Sequence, residues 1–197
     1  MLFFIIGRSS VGKDTIFRRL REMDPSLKEA TPCTTRPMRE GEREGVEYFF
    51  VTDEQFLKDK EEGKILEYRQ YPSSHGIWTY YTRFSAVQGE GDYIISGSID
   101  MFNKVYDVLG DCVIPIYIKL PEVSLIERAL AREKSRGEGA DIVEMCRRFL
   151  QESKDYENYN FNGRIKVEFV NDDLAVCVEE IYNYINELRL KDKGETG

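Results

Sequence analysis

The chain has 197 residues, with 28 lysines and arginines against 36 aspartates and glutamates, and its formal net charge is −8. This length suits one α/β domain built around a single core. The acidic balance argues against a general nucleic-acid-binding protein, because such proteins carry an excess of cations.

Strand and helix patterns alternate along the chain, which predicts an α/β protein with a mostly parallel five-stranded sheet flanked by helices. The apolar run at 2–6 predicts a buried first strand, and Ile16, Leu20 and Met23 predict the helix that follows it. Further strands are predicted at 65–71, 93–96, 113–120 and 165–170. The last helix places on one face Leu174, Val178, Ile181, Ile185 and Leu188. The polar segment 190–197 is expected to fray.

Two regions interrupt this alternation. Residues 31–83 combine short strand patterns with aromatic and charged side chains, which indicates an inserted, small β-rich substrate lobe. Residues 132–141 are charged, contain glycine and lie between two helical patterns, which is typical of a mobile helical lid at about 130–150. We therefore predict a single domain over residues 1–197, whose core is formed by 1–30 and 84–190.

The cysteines and the N-terminal segment indicate a cytoplasmic protein with reduced thiols. The four cysteines are scattered and the only histidine is His75, so no zinc site is expected. The apolar run at 2–6 is too short for a signal sequence or a membrane span. We expect neither a membrane nor a nucleic acid as a partner.

Residues 7–13 read Gly-Arg-Ser-Ser-Val-Gly-Lys and fit the phosphate-loop pattern G-x-x-x-x-G-K between the first strand and the first helix. Backbone N–H groups of such a loop curl around a phosphate, and the helix N-terminus adds a favourable partial charge. Lys13 would reach the β- and γ-phosphates of ATP. The residues expected to bind ATP and Mg²⁺ are Gly7, Ser9, Ser10, Val11, Gly12, Lys13, Asp14 and Thr15. The alternative is a glycine-containing turn without a ligand.

Asp14 departs from the usual pattern, in which a serine or threonine follows the lysine and binds Mg²⁺ through its hydroxyl. A carboxylate is a good ligand for Mg²⁺, directly or through water. Without the metal, the same carboxylate repels the phosphates of a nucleotide. We therefore expect Asp14 to be a metal ligand and nucleotide binding to depend strongly on Mg²⁺.

The segment 34–50 carries a second candidate phosphate site. Arg36 and Arg39 are three residues apart in a predicted loop and can clamp a monophosphate through paired hydrogen bonds. Tyr48 can add a hydroxyl donor to the same phosphate. The alternative for this segment is a solvated, charged hairpin.

With these residues in view, the chain resembles the guanylate kinases. Residues 34–50 fit the family signature T-T-R-x-x-R-x-G-E-x-x-G-x-x-Y-x-F at every defined position. The resemblance implies a P-loop NTPase fold and the Mg-ATP-dependent phosphorylation of GMP to GDP. It also implies small-molecule nucleotides as partners, in a monomer or a homodimer.

The resemblance implies further site residues. Glu67 takes the place of a base-reading glutamate, whose carboxylate can accept hydrogen bonds from N1–H and the 2-amino group of guanine. Asn171 takes the place of an asparagine near the adenine of ATP, although it could simply shape the turn before the last helix. Lid arginines compensate charge and exclude water during phosphoryl transfer, and together with Lys13 they would form the catalytic set. The lid arginines implied here are Arg132, Arg136 and Arg148.

Three departures from the family concern the acceptor. Ser-Gly-Ser at 96–98 replaces an Asp-x-Asp segment, so that Ser98 stands among the substrate residues in place of a carboxylate. Pro32 replaces a serine that the family uses near O6 of guanine. The second phosphate-binding tyrosine is either Tyr80 or Tyr81.

Two of the altered features are similar to the ribose 1,5-bisphosphate phosphokinases, namely Gly-Lys-Asp at 12–14 and Gly-Ser at 97–98. Two alternatives to a guanylate kinase therefore stay open. One is a kinase for another phosphorylated acceptor such as ribose 1,5-bisphosphate, and the other is a non-catalytic guanylate-kinase-like binding module. Tyr156, Tyr159 and Phe161 belong either to the core or to an interface, and we expect the core.

Overall fold

A computed structural model describes residues 1–39, 41–73, 76–157 and 163–195. The predictions for Tyr159 and Phe161, and the lone His75, lie outside these described residues. Within them, no helix is both long and apolar enough to cross a membrane.

Nine strands and six α-helices form the described part of the chain. The strands are β1 Leu2–Ile6, β2 Lys28–Glu29, β3 Cys33–Thr34, β4 Phe49–Phe50, β5 Ile65–Ser73, β6 Gly76–Arg83, β7 Tyr93–Gly97, β8 Val113–Lys119 and β9 Glu168–Val170. The helices are α1 Lys13–Met23, α2 Asp53–Glu61, α3 Ile99–Leu109, α4 Glu122–Ser135, α5 Ile142–Glu157 and α6 Leu174–Glu195.

The larger sheet has five strands in the order β2-β7-β1-β8-β9, so the predicted α/β fold with a parallel five-stranded sheet is confirmed. Strand β1 is buried along its whole length, as expected of a strand covered on both faces. The short strand β2 pairs with β7 and was not among the predicted runs. The strand predicted at 165–170 begins only at Glu168.

The last helix is longer than predicted. Instead of fraying from Leu190, α6 continues to Glu195. The segment contains leucine, lysine and glutamate, which are good helix formers. Arg189 also donates to Asp24 Oδ2 at 2.5 Å, and this ion pair fixes the helix one residue before the predicted end.

The smaller sheet lies within residues 33–83, in the order β4-β3-β6-β5. Its main feature is the antiparallel hairpin β5–β6, in which Glu67 pairs with Thr82 and Arg69 pairs with Tyr80. Alternate residues of a strand point to the same face, and directly paired residues share that face. One face of the hairpin therefore carries Glu67, Arg69, Tyr80 and Thr82.

The chain divides into two compact units. The first comprises residues 1–3, 26–95 and 100–114, and Cys33, Phe56 and Tyr81 form a buried cluster in it. The second comprises residues 4–25, 96–99 and 115–197, and its buried side chains include Ile16, Leu20 and Ile181. Residues 84–95 and 100–114 thus group with the predicted substrate lobe, although they were assigned to the core. The predicted boundaries of lobe and lid stay predictions.

Candidate active site

The phosphate loop occupies residues 7–13 between β1 and α1, where the sequence pattern places it. A Cβ atom at Gly7 would lie 2.8 Å from the carbonyl oxygen of Ile118, closer than a side chain can approach. Gly12 has φ 103°, and a Cβ atom there would lie 2.4 Å from Asn171 Nδ2. Gly12 is therefore required by its left-handed backbone and by close packing, and Gly7 by close packing alone.

A cavity of about 450 Å³ lies at this loop. Its lining combines backbone of the loop with two arginines of α4, a suitable environment for a polyanion. The lining residues are Ser9, Ser10, Gly12, Lys13, Asp14, Thr15, Arg128 and Arg132. Six of the eight residues predicted to bind ATP and Mg²⁺ thus line one cavity. The other two are Gly7, which packs against Ile118, and Val11, whose side chain is buried.

Lys13 lies at the start of α1, and its Nζ donates to the carbonyl oxygens of Gly7 at 2.6 Å and Arg8 at 3.0 Å. Burial lowers the pKa of Lys13, whereas the carboxylates of Glu152 and Asp14 oppose that shift. The ammonium is thus held at the loop by two neutral carbonyl groups. A phosphate can replace these groups with a stronger, charged acceptor.

Asn171 supports the phosphate loop through a side-chain hydrogen bond. Its Nδ2 donates to the carbonyl oxygen of Val11 at 2.7 Å, and the backbone carbonyl oxygen of Asn171 accepts from Arg128 Nη2 at 2.8 Å. The residue is 1% exposed, so its amide is enclosed by protein. These contacts hold the phosphate loop rather than the turn before the last helix, and both predictions for Asn171, proximity to adenine and shaping of that turn, stay predictions.

The arginines of α4 and α5 divide into two groups. Arg128 and Arg132 are four residues apart on α4 and line the cavity at the phosphate loop. Arg136 instead donates to both oxygens of the buried Glu133, and Arg148 lies 3.7 Å from the same carboxylate. In this structure Arg136 and Arg148 contact Glu133 and are not among the residues that line the cavity, and the catalytic role predicted for them stays a prediction. Sequence reasoning missed Arg128, although its i,i+4 spacing to Arg132 was a usable signal.

Sequence reasoning also missed the acidic side chain that contacts the loop. The backbone N–H of Ser9 donates to Glu152 Oε2 at 2.7 Å, and the Ser9 hydroxyl donates to Oε1. The neighbouring Arg8 pairs with Glu122 and donates to Ser153 Oγ at 2.7 Å. The start of the phosphate loop is thus attached to α4 and α5 by charged contacts. No local sequence motif predicts the contact of Glu152, because its partner Ser9 is 143 residues away in the chain.

The second candidate phosphate site centres on Arg36, which is 3% exposed. Its Nε donates to the Tyr80 hydroxyl at 3.2 Å and its Nη2 to Glu42 Oε1 at 2.7 Å. The Tyr48 ring meets the Tyr80 ring edge-on at a centroid distance of 5.6 Å. Arg39 is exposed, and its backbone N–H donates to Glu42 Oε2 at 2.7 Å. We call Arg36, Arg39, Tyr48 and Tyr80 the acceptor clamp.

Hydrogen bonds from Arg36 and from the Arg39 backbone lower the pKa of Glu42. Glu42 therefore stays ionised at neutral pH and acts as a fixed counterion for the two arginines. Within the described residues of this segment, Glu42 holds Arg36 by charge pairing, and the alternative of a solvated hairpin does not describe this buried side chain.

Tyr81 does not belong to the acceptor clamp. Successive residues of a strand point to opposite faces, and Tyr81 is fully buried on the other face. Its hydroxyl donates to Asp59 Oδ2 at 2.7 Å, and the same oxygen accepts from Arg83 Nε at 2.7 Å. Burial and this hydrogen bond raise the pKa of the Tyr81 hydroxyl. Of the two tyrosines left open by the sequence, the structure brings only Tyr80 to Arg36, and Tyr81 is corrected to a core residue.

This difference predicts opposite effects of removing each hydroxyl. Tyr81→Phe should lower the free energy of unfolding by about 1–2 kcal/mol, because Asp59 loses a buried hydrogen bond. Tyr80→Phe should leave stability almost unchanged and raise KM for the phosphorylated acceptor about fivefold. Urea unfolding and steady-state kinetics on both variants check this, and equal effects on KM would contradict the assignment of Tyr80.

Glu67 is 3% exposed and lies on the hairpin face that also carries Tyr80. Its Oε1 accepts from the Thr82 hydroxyl at 2.9 Å. Burial raises the pKa of Glu67, while the neighbouring Arg69 opposes that shift.

Ser98, another predicted substrate residue, is exposed and belongs to the second unit, directly before α3.

The sheet order and the phosphate loop between β1 and α1 define a P-loop nucleotide-binding fold. The family model for guanylate kinase matches residues 2–188. The chain therefore belongs to the guanylate kinase family. The resemblance seen in residues 34–50 is confirmed, and with it the class of enzyme, a nucleoside monophosphate kinase that transfers a phosphoryl group from ATP.

Named relatives cover nearly the whole chain. The chain is 32% identical to the guanylate kinase of Symbiobacterium thermophilum, over 92% of this chain and 82% of the relative. It is 31% identical to the guanylate kinase of Wolbachia sp. subsp. Brugia malayi, over 98% and 96% respectively. A crystal structure of guanylate kinase from Anaplasma phagocytophilum superimposes with a TM-score of 0.65 at 20% identity, covering 95% of this chain and 85% of that one, which bears on the fold.

Proposed function

We propose that the chain catalyses the Mg-ATP-dependent phosphorylation of GMP to GDP. The observation that carries the proposal is the placement of a buried carboxylate on the same hairpin face as one member of the acceptor clamp. Glu67 and Tyr80 share a face of β5–β6, and Tyr80 accepts a hydrogen bond from Arg36. A carboxylate that accepts from N1–H and the 2-amino group of guanine discriminates against adenine, which offers neither donor in those positions.

The donor side of the proposal rests on the phosphate-loop cavity. Lys13 and the loop N–H groups would hold the β- and γ-phosphates of ATP, while Arg128 and Arg132 would compensate the negative charge that they bring. Arg136 and Arg148 keep their proposed lid role only if they leave Glu133 when the nucleotide binds. No general base is needed, because the acceptor phosphate is already nucleophilic and catalysis is mainly alignment and charge compensation.

The carboxylate of Asp14 fits a Mg²⁺ ion. It is exposed and lines the same cavity as Lys13 and Thr15. Mg²⁺ at nucleotide sites usually takes only one or two protein ligands, with phosphate oxygens and waters completing the octahedron. A bound Mg²⁺ would neutralise part of the charge of the phosphates, and Asp14 would help to hold it there. Within the described residues no group of three metal-ligating side chains occurs, so a metal held by protein alone is not proposed.

ATP affinity is therefore expected to fall at least about tenfold when Mg²⁺ is removed by a chelator, because Asp14 then repels the phosphates. In Asp14→Asn this difference should shrink. Isothermal titration of ATP with and without Mg²⁺ measures both values, and Asp155→Asn, an exposed site on α5, is the matched control. Equal ATP affinities in the two media for the unaltered protein would contradict the proposed role of Asp14.

The test of the function is a coupled ADP-release assay with Mg-ATP against GMP, dGMP, AMP, UMP, CMP and ribose 1,5-bisphosphate. Turnover selective for GMP and dGMP is the expected result. Turnover of the sugar bisphosphate alone would favour the second candidate, which is suggested by Ser-Gly-Ser at 96–98 and by Asp14. ATP binding without turnover of any acceptor would leave a binding module.

A further inference from the structure

An ion pair lies beside the acceptor clamp on the face of the β5–β6 hairpin. Arg69 Nε is 3.4 Å from Glu67 Oε2, and the two residues are two positions apart on β5. The second carboxylate oxygen, Oε1, is already used by the Thr82 hydroxyl.

The pair is incomplete as a hydrogen bond. Within the described residues, neither Glu67 Oε2 nor Arg69 Nε has a hydrogen-bond partner, although both atoms are enclosed. At 3.4 Å the two groups attract each other as charges, but their geometry leaves one acceptor and one donor unsatisfied side by side. Enclosed polar atoms without partners are costly and rare, and a bound water, ion or ligand is one way in which such atoms gain the missing bond.

The unsatisfied atoms match the edge of a 6-oxopurine. Guanine presents the N1–H donor next to the O6 acceptor, so it requires an acceptor next to a donor on the protein. Adenine presents the reverse order, with N1 as acceptor and the 6-amino group as donor, and would face like groups at both positions. We propose that Arg69 is a specificity-determining residue that donates to O6 of the acceptor base while Glu67 accepts from N1–H. This inference rests on the proposed function, since it assumes a purine monophosphate as acceptor.

Exposure indicates which member of the pair moves. The side chain of Glu67 is 0% exposed and that of Arg69 is 22% exposed. Arg69 is therefore the member that can turn toward solvent, and in this inference the base reaches the carboxylate after the guanidinium turns aside. The exchange is balanced, because N1–H of the base takes the place of Arg69 beside Oε2, and O6 receives a hydrogen bond from the displaced guanidinium.

The position of Arg69 connects base reading with the acceptor clamp. It is paired directly with Tyr80 across the hairpin. Its charge is also close enough to oppose the rise that burial causes in the pKa of Tyr48. A contact between Arg69 and the acceptor phosphate is the competing role, and it predicts a different pattern of losses.

The experiment compares Arg69→Met with the unaltered protein. Dissociation constants are measured for 2-aminopurine riboside 5′-monophosphate by its own fluorescence and for GMP by competition. The 2-aminopurine base has no O6 and no N1–H but keeps the ribose, the phosphate and the 2-amino group. Arg69→Met should weaken GMP about 10- to 100-fold, the effect of losing a hydrogen bond from a charged donor, and leave the 2-aminopurine nucleotide within about twofold.

Lys64→Met is the matched control, because it removes the same charge from an exposed side chain of the same unit. Equal weakening of both nucleotides would overturn the inference and place Arg69 on the phosphate. No weakening of either would overturn it as well. Circular dichroism shows whether Arg69→Met folds, and if it does not, the same measurements are made on Arg69→Lys. A loss of affinity confined to GMP in that variant supports the inference, and any other pattern overturns it. An unaltered protein without preference for GMP would instead contradict the proposed function.

Discussion

Replacement of Lys13 by Ala is expected to lower kcat with GMP and ATP by about 10³-fold. The ammonium lies at the phosphate-loop cavity, where it donates to the carbonyl oxygens of Gly7 and Arg8. Phosphoryl transfer spreads negative charge over the migrating group, and a fixed cation in a partly desolvated site stabilises that charge far more than it would in water. Loss of the cation therefore acts mainly on the transition state.

Lys134→Ala is the control, because Lys134 is exposed on α4 and does not line the cavity. The ADP-release assay gives kcat for both variants, and thermal unfolding shows whether the fold survives. Lys13 makes two hydrogen bonds to backbone in an open cavity, so its removal should change stability little. Activity above about a tenth of the unaltered value would contradict the role given to Lys13.

Replacement of Arg36 by Lys is expected to raise KM for GMP about 100-fold, with a much smaller change in kcat. The guanidinium holds Tyr80 and Glu42 at the same time, and its planar fork can also engage a phosphate. An ammonium keeps the charge but cannot keep this geometry. The loss falls on acceptor binding, which is present before and during the reaction, so KM changes more than kcat.

Arg43→Lys is the matched control for Arg36→Lys, because Arg43 belongs to the same segment and is exposed. Steady-state kinetics with GMP as the varied substrate measure the effect, and KM for ATP should stay constant. An unchanged KM for GMP would show that the acceptor phosphate binds elsewhere. A parallel fall in stability is expected to be moderate, since Glu42 is left with one backbone partner at Arg39.

The parts of the site that follow from local sequence were predictable. The phosphate loop needs only a strand, two glycines, a lysine and a helix in succession, and residues 7–13 contain them in order. The signature at 34–50 likewise predicted that Arg36 and Tyr48 act together, and in the structure both contact Tyr80. Both segments are short, so the geometry depends on few unknown angles.

The parts of the site that depend on where a helix ends, or on which face of a strand a side chain lies, were harder to predict. Arg136 follows Ser135, the last residue of α4, and its side chain donates to Glu133 of that helix. Arg128 and Arg132 lie within the helix, one turn apart, and share the cavity. Family spacing alone cannot distinguish these arrangements, because it does not state where the helix ends.

The choice between Tyr80 and Tyr81 shows the same limit for strands. A shift of one residue in register exchanges the two faces of a strand, so two adjacent tyrosines lie on opposite faces. The register of β6 against β5 places Tyr80 opposite Arg69 and sends Tyr81 to Asp59. Arg69 belongs to no sequence motif, because the role inferred for it rests on the unsatisfied Oε2 of Glu67, two residues away.

The hydrogen bond between Asn171 and Val11 has a consequence for the synthesis of the protein. These residues are separated by 160 positions in the chain, and their hydrogen bond supports a loop that is synthesised long before Asn171. The nascent chain therefore carries every residue of the phosphate loop long before it carries the amide that holds that loop in shape. Nucleotide binding should consequently appear late in synthesis, after β9 has joined the sheet, and should not assist the folding of the N-terminal half.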